Sequence, residues 1–133
     1  AGIQLRLECA QLMREQGRPE PAGKAKITAA YNLPCEYVIH TVGPIIQRSV
    51  TDKAREQLAG CYRSSLRAAD SRGADSIAFC CISTGVFHFP NDEAAEIAVR
   101  TVMDYLGENQ SPAKVVFNVF TDRDFEIYNS LLN

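Results

Sequence analysis

The fold of this chain is decided by residues 80–91, which read Cys-Cys-Ile-Ser-Thr-Gly-Val-Phe-His-Phe-Pro-Asn. The apolar run Ser76 to Ile82 predicts a strand buried on both faces, Ser83 to Pro90 a turn-forming loop, and Asn91 the start of a helix. In an open α/β sheet, such a junction lies at the carboxyl ends of the strands, where ligands bind. Backbone N–H groups and the positive end of a helix dipole favour anions there, and Gly85 permits a positive φ. The loop is therefore a candidate phosphate site.

Helical and strand patterns alternate on both sides of this junction. Before the junction, the expected elements are a helix over Gly2–Gln16, strands over Lys24–Ala30 and Tyr37–Val42, and a helix that is capped by Thr51 or Asp52 and ends at Arg72-Gly73. After it, we expect a helix over Asn91–Leu106 that Gly107 stops and a strand over Val115–Phe120. Thr121 begins a last helix, and Asp124 completes an approximate capping box there. This order predicts one α/β domain over residues 1–133, with a mostly parallel mixed sheet between layers of helices. Tyr37–Val42 is expected to be a central strand that can pair antiparallel with the strand before it.

The amino-terminal helix is predicted to be buried. Ile3, Leu7 and Met13 lie on one of its faces, and Leu5 and Leu12 broaden that face toward burial on two sides. The chain begins at Ala1 rather than Met and enters this helix at once. We therefore expect either an experimental boundary or a missing segment just upstream.

Composition excludes several classes of function. With 133 residues, 46% hydrophobic and 23% charged, the chain suits one globular domain with a real core. It contains neither an apolar run long enough to span a bilayer nor a secretory signal, so no membrane partner is expected. The net charge is −2 with both signs interspersed, which argues against a nucleic-acid surface but allows a nucleotide ligand.

The five cysteines are odd in number and show no disulfide framework, which favours reduced thiols in a cytoplasmic protein. Neither His40 nor His88 pairs with a cysteine at metal-ligand spacing, so we expect no metal site made only of residues in this chain.

The loop from Ser83 to Pro90 leaves alternatives open. It is neither a P-loop nor a dinucleotide fingerprint. The alternative to a phosphate site is an ordinary β–α connection, in which Ser, Thr and Gly residues serve turn geometry. Phe87 and Phe89 flank His88 and indicate something flat to pack against, such as a ribose or a base. The other interpretation is that they anchor the loop to the core, which we favour for Phe89.

Isolated polar and aromatic residues also have two interpretations each. His88 is either an acid–base group or, the favoured interpretation, an exposed loop residue, and His40 is predicted to be a buried structural histidine bonded to backbone. Asn118 and Phe120 end the last strand, where Phe120 either packs on an adenine or completes the edge of the core. Asp122 either accepts a bond from a ribose hydroxyl or, more simply, caps the last helix.

Four blocks of the sequence together resemble a known family. They are Ala25–Thr28, Tyr31–Cys35, Tyr37–Pro44 with its H-T-V-G-P run, and Ile82–Pro90 with its S-T-G-V-F-x-F-P loop. In combination these are similar to the macrodomain, specifically its bacterial and fungal zinc-dependent branch. Ala1–Arg6 matches the helix after that branch's metal loop, so the resemblance covers nearly the whole chain.

The resemblance implies a three-layer α/β/α fold that binds ADP-ribose at the carboxyl ends of its strands. Positions matching the loop wrap the diphosphate and distal ribose, largely through backbone N–H groups, and two later positions lie near the adenosine half. The ligand-binding residues so implied are Ser83, Thr84, Gly85, Val86, Phe87, Asn118 and Phe120. The implied activity is hydrolysis of the bond joining ADP-ribose to an ADP-ribosylated protein. The alternative is a non-catalytic module that reads ADP-ribose or a related nucleotide.

The chain departs from the family in one large respect. The acidic residue that reads adenine, the asparagine-rich catalytic loop and the Cys/His/Cys zinc site have no match here. We therefore expect no catalytic residue and no zinc ligand in this chain, although zinc is expected in the intact domain. The chain resembles an N-terminally truncated macrodomain. A sheet lacking its first strands exposes an apolar edge, which predicts an incomplete chain, a proteolytic product or self-association through that edge; size-exclusion chromatography and intact mass test this.

Overall fold

The computed structural model describes all 133 residues and has four helices and four strands in the predicted order, which confirms the α/β class. The elements are α1 (Ile3–Gln16), β1 (Ala25–Ala29), β2 (Tyr37–Thr41), α2 (Asp52–Ser71), β3 (Ser76–Phe79), α3 (Asn91–Glu108), β4 (Lys114–Phe117) and α4 (Asp122–Leu132). None of the helices is long and apolar enough to cross a membrane.

Local capping explains the starts of α2 and α4 and the end of α1. The hydroxyl oxygens of Thr51 and Thr121 each accept a bond from the backbone N–H three residues on, which fixes the starts of α2 and α4. Gly17 ends α1 in the left-handed conformation. The prediction that Gly107 stops α3 is wrong, because the helix runs through it to Glu108. A glycine inside a helix costs only about 1 kcal/mol, too little to end a helix that is packed on one face.

The strands form two separate two-stranded sheets. β1 and β2 pair antiparallel, with Ala25 opposite Thr41, and β3 and β4 pair parallel, with Ser76 opposite Lys114. The prediction of Tyr37–Val42 as a central strand is therefore wrong, because β2 pairs only with β1. Each pair leaves strand edges without a hydrogen-bonded neighbour, and the expectation of self-association rests on such edges.

The strand before the candidate loop is shorter and less buried than predicted. β3 ends at Phe79 rather than Ile82, and only Ile77 and Phe79 are buried while Ser76 and Ala78 are exposed. The strand is thus covered on one face only, because α2 packs on that face and nothing in the chain covers the other.

The core lies between α2, α3 and the covered face of β3 and β4. A row of aromatic rings runs through it: the centroids of Tyr62 and Phe79 are 4.9 Å apart, those of Phe79 and Phe117 6.4 Å, and those of Phe117 and Tyr128 5.0 Å. Phe89 is 1% exposed and belongs to this core, which confirms that it anchors the loop.

The amino-terminal helix contrasts with this core. No residue of α1 is buried, so the predicted burial of its apolar face is wrong; Leu7, on that face, is 60% exposed. Within this chain, α1 packs mainly against β1, which leaves most of the face uncovered. His40, predicted to be buried and bonded to backbone, is only half-buried, and its Nε2 lies 3.0 Å from the Thr28 hydroxyl, so its partner is a side chain rather than backbone.

Candidate ligand site at the carboxyl edge of the parallel strands

The parallel register of β3 and β4 brings the two predicted halves of the site to one edge. Phe79 and Phe117 are the last paired residues, and the Asn118 N–H donates to the Phe79 carbonyl at 2.7 Å. The loop from Ser83 to Pro90 and the segment from Asn118 to Thr121 therefore leave the sheet side by side.

The loop is closed by its own backbone. The Phe89 N–H donates to the Ser83 carbonyl at 2.9 Å, and the His88 N–H donates to the Gly85 carbonyl at 3.0 Å. Ser83 and His88 have φ values of 67° and 61°, in the left-handed region that non-glycine residues rarely adopt. The expectation that Gly85 supplies the positive φ is wrong, since these two residues do so instead.

Five consecutive backbone N–H groups in this loop, those of Ser83 to Phe87, have no acceptor in the protein. A Cβ added to Gly85 would meet nothing within 4 Å, and Val86 is exposed, so the loop is open on this side. A run of unpaired backbone donors is the arrangement that holds a phosphate oxygen.

The amino-terminal end of α3, beside the loop, is a weaker anion-binding group than predicted. Pro90 precedes α3 and supplies no side-chain cap, but Asp92 and Glu93 lie in the first turn. Their carboxylates already interact favourably with the positive end of the dipole and repel a further anion. The loop N–H groups, rather than the helix end, are the stronger anion donors.

The H-T-V-G-P block and the residues just after it contact the loop on the side opposite its open face. The Ser83 hydroxyl oxygen is buried and has no hydrogen-bond partner, and a Cβ on Gly43 would lie 2.0 Å from it. The Ile46 N–H donates to the Phe87 carbonyl at 2.8 Å. Ser83 therefore presents backbone, not its hydroxyl, to the open side. The H-T-V-G-P block and the loop from Ser83 to Pro90 can each be recognised in the sequence. The contact between Gly43 and Ser83 cannot, because it depends on tertiary packing.

The aromatic residues of the site differ in exposure. Phe87 is half-buried, whereas Phe120 is fully exposed, so the interpretation of Phe120 as part of the core edge is wrong. An exposed ring at this edge is available to stack on a flat group. Asn118 is exposed beside it. Thr121, not Asp122, caps α4, so the capping role predicted for Asp122 is also wrong.

Two of the titratable groups near the edge, Cys81 and Tyr128, have raised pKa values. Burial, together with the charge of Asp124, raises the pKa of the Cys81 thiol, so the thiol stays protonated near neutrality. Burial also raises the pKa of Tyr128 to about 12. His88 is exposed, as predicted for an ordinary loop residue. The site can hold and orient a ligand but shows no nucleophile paired with a base.

The side chains of this chain do not fit a zinc ion. No group of three or more His, Cys, Asp or Glu residues is arranged to hold a metal, and all five cysteines are free. A structural or catalytic zinc site needs three or four such ligands, so no chemical step is assigned to a metal here.

Comparison with known proteins identifies the family of this chain. The model of the Macro domain family matches residues 1–98. The chain belongs to the Macro domain family.

The relatives of this macrodomain include enzymes and ligand complexes. It is 60% identical over 134 residues to a protein from Staphylococcus aureus (strain MRSA252) named protein-ADP-ribose hydrolase, a match that covers 100% of this chain and 50% of that protein. Among solved structures, the Oceanobacillus iheyensis macrodomain with ADP is 40% identical with a TM-score of 0.86, over 95% of this chain and 67% of that one. The Trypanosoma brucei macrodomain in complex with ADP-ribose is 34% identical with a TM-score of 0.76, over 85% and 47%. The chain thus spans about half the length of the curated relatives it matches.

Proposed function

We propose that this macrodomain binds ADP-ribose at the carboxyl edge of β3 and β4, and that the intact protein hydrolyses the bond joining ADP-ribose to a modified protein. The proposal rests on the run of five N–H groups without an acceptor, from Ser83 to Phe87, beside an exposed aromatic ring at Phe120. The names of the relatives, protein-ADP-ribose hydrolase and a macrodomain in complex with ADP-ribose, support the choice of ligand and reaction.

Each part of the edge has a role in this proposal. The N–H groups of the phosphate-binding loop, residues 83–87, donate to the diphosphate, and their bonds to a charged oxygen are each worth about 1.5–3 kcal/mol. Phe87 packs near the distal ribose, and Asn118 and Phe120 hold the adenosine half, with the Phe120 ring against the adenine. Because hydrogen bonds within its own backbone close the loop, the N–H donors need little reorganisation when they bind the diphosphate.

The proposal includes catalytic groups and a zinc ion in the intact protein only because the sequence resembles the zinc-dependent branch. No residue of this chain is assigned to either, and the chain's own contribution is to bind and orient the diphosphate. We also propose a cytoplasmic location, which the five free cysteines support because such thiols are oxidised in secretory compartments.

The first test replaces Gly85 with valine. The added side chain projects into the open side of the loop and blocks the approach of a phosphate, while no protein atom lies within 4 Å to be disturbed. We expect calorimetry with ADP-ribose to show affinity reduced by about tenfold or more, the loss of at least one charge-assisted bond. Gly107→Val is the matched control, because Gly107 also meets nothing within 4 Å but lies near the far end of α3. Unchanged affinity in Gly85→Val would remove the loop from the site.

A second candidate function is a non-catalytic reader of ADP-ribose. It is favoured by the chemistry of the edge, where the Cys81 thiol is held protonated and no base faces a nucleophile. Incubation of the intact protein with an ADP-ribosylated protein, with and without a chelator, separates the two candidates. Release of free ADP-ribose supports the hydrolase, and its loss on chelation supports zinc dependence. Binding without release supports the reader.

A further inference from the structure

A buried carboxylate joins the two segments that form the ligand edge. Asp124 is the third residue of α4 and is buried, and its Oδ1 accepts a bond of 2.7 Å from Nδ2 of Asn91, the first residue of α3. Its Oδ2 accepts a bond of 2.8 Å from the Thr121 hydroxyl, which in turn accepts from the Asp124 N–H at 3.1 Å. Both carboxylate oxygens are therefore used, one within α4 and one across to α3.

The two ends of this bridge are each attached to one half of the site. Asn91 directly follows the loop from Ser83 to Pro90, and Thr121 directly follows Phe120. The bridge spans 33 residues of sequence and is the side-chain hydrogen bond that joins these two segments. A change in its length would shift the loop relative to the Phe120 ring.

The bridge is separable from the general packing of α4. Tyr128, one turn after Asp124, packs its ring 5.0 Å from that of Phe117, and Phe117 stacks on Phe79 at 6.4 Å. These aromatic contacts hold α4 on the sheet without the carboxylate. What the carboxylate adds is a fixed distance between the starts of α3 and α4.

We propose that Asp124 is a positioning residue which, through Asn91, sets the spacing between the phosphate-binding loop and Phe120 and so lets one ligand engage both. This inference rests on the proposed function, because it takes the loop to hold the diphosphate and Phe120 the adenine. A ligand that touches only one segment does not depend on the spacing.

The test uses one substitution that breaks the hydrogen bond between residues 91 and 124, and a second that restores it with donor and acceptor exchanged. Asn91→Asp sets a second carboxylate against Asp124 and removes the donor. Combining it with Asp124→Asn restores the bond, because the new amide can donate to residue 91 while its oxygen still accepts from Thr121. We expect Asn91→Asp to weaken ADP-ribose binding about tenfold and the reversed pair to return it to within about threefold of wild type, a coupling usual for directly bonded residues.

Two fragments distinguish positioning from a loss of folding. Inorganic pyrophosphate engages the loop alone and adenosine engages Phe120 alone, and NMR titration follows both with each variant. A positioning role leaves the affinity for each fragment unchanged in Asn91→Ala, which breaks the bridge without adding a carboxylate beside the loop, whereas partial unfolding weakens all three ligands together. If Asn91→Asp does not fold, Asn91→Ala removes the donor without adding a charge and carries the same expectation.

The outcomes separate the inference from the function on which it rests. Wild-type protein that fails to bind ADP-ribose overturns the proposed function and this inference with it. Wild-type binding that is retained in Asn91→Asp, or that the reversed pair fails to recover, overturns the positioning role alone.

Discussion

The amino-terminal region, residues 1–42, and the carboxyl-terminal region, residues 51–133, have similar sequence patterns and different packing. Leu7 of α1 and Leu58 of α2 both lie on apolar faces that the sequence predicts to be buried, yet Leu7 is 60% exposed and Leu58 is 0% exposed. Every member of the buried hydrophobic cluster lies at residue 54 or later. The difference shows that an amphipathic pattern identifies the face to be covered but not whether the same chain supplies the cover.

The same substitution in the two helices tests this difference most strongly. Leu58→Ala leaves a cavity in the core and should lower the free energy of unfolding by about 2–5 kcal/mol. Leu7→Ala removes an exposed side chain and should change it by no more than about 0.5 kcal/mol. Urea unfolding of the 133-residue chain measures both. Equal losses at the two sites would mean that α1 is covered in solution, and the contrast between the regions would not hold.

The contact of Gly43, which lies in the segment joining the two regions, with the loop at Ser83 gives the next largest effect. In Gly43→Ala the new Cβ meets the Ser83 hydroxyl at 2.0 Å and a methyl group of Ile82 at 2.8 Å, so the loop must move. We expect a loss of about 1–3 kcal/mol in thermal or urea unfolding, typical of overpacking. Adding Ser83→Gly removes the nearest atom and suits the positive φ, and should recover part of the loss.

Gly107→Ala is the control for that experiment. Its Cβ meets nothing within 4 Å and lies within α3, so the same exchange should stabilise the protein by about 0.5–1 kcal/mol. If Gly43→Ala also stabilises, Gly43 does not pack against the loop as described.

The smallest expected effect is a pH dependence confined to the amino-terminal region. Burial lowers the pKa of His40, and the nearby Glu8 carboxylate opposes this shift. Because the folded pKa lies below the unfolded value, the unfolded state takes up the proton first as the pH falls. The contribution of His40 to stability is therefore complete above the unfolded pKa, about 6.5, and is lost as the pH falls from there through the folded pKa.

Hydrogen-exchange protection factors at about pH 7.5 and about pH 5.5 bracket the unfolded pKa and measure this effect. Amides of β1 and β2 should lose protection at the lower pH, while those of β3 and β4 serve as the internal reference. In His40→Asn the difference between the two sheets should disappear. A pH dependence that persists in this variant would assign it to another group.

Much of the secondary structure could be predicted from sequence, and so could the position of the candidate site residues at one edge of the parallel strands. Thr51 and Thr121 marked helix starts, because a threonine hydroxyl caps an orphan N–H through a local bond. Predictions that depended on contacts between elements distant in sequence were more often wrong. The exposure of α1, the pairing of β2 and the end of β3 each depend on which strands and helices pack beside the element. A local sequence pattern contains no information about these neighbours.

The sequence by itself determined the α/β order, the loop from Ser83 to Pro90 and the family to which its blocks belong, because turn chemistry, periodicity and capping act over a few residues. Only the tertiary structure decided that Ser83 turns its hydroxyl toward Gly43, that Phe120 is exposed, and that Asp124 bonds to Asn91. Those features join residues that are distant in sequence, and packing and burial, rather than local propensity, set their geometry.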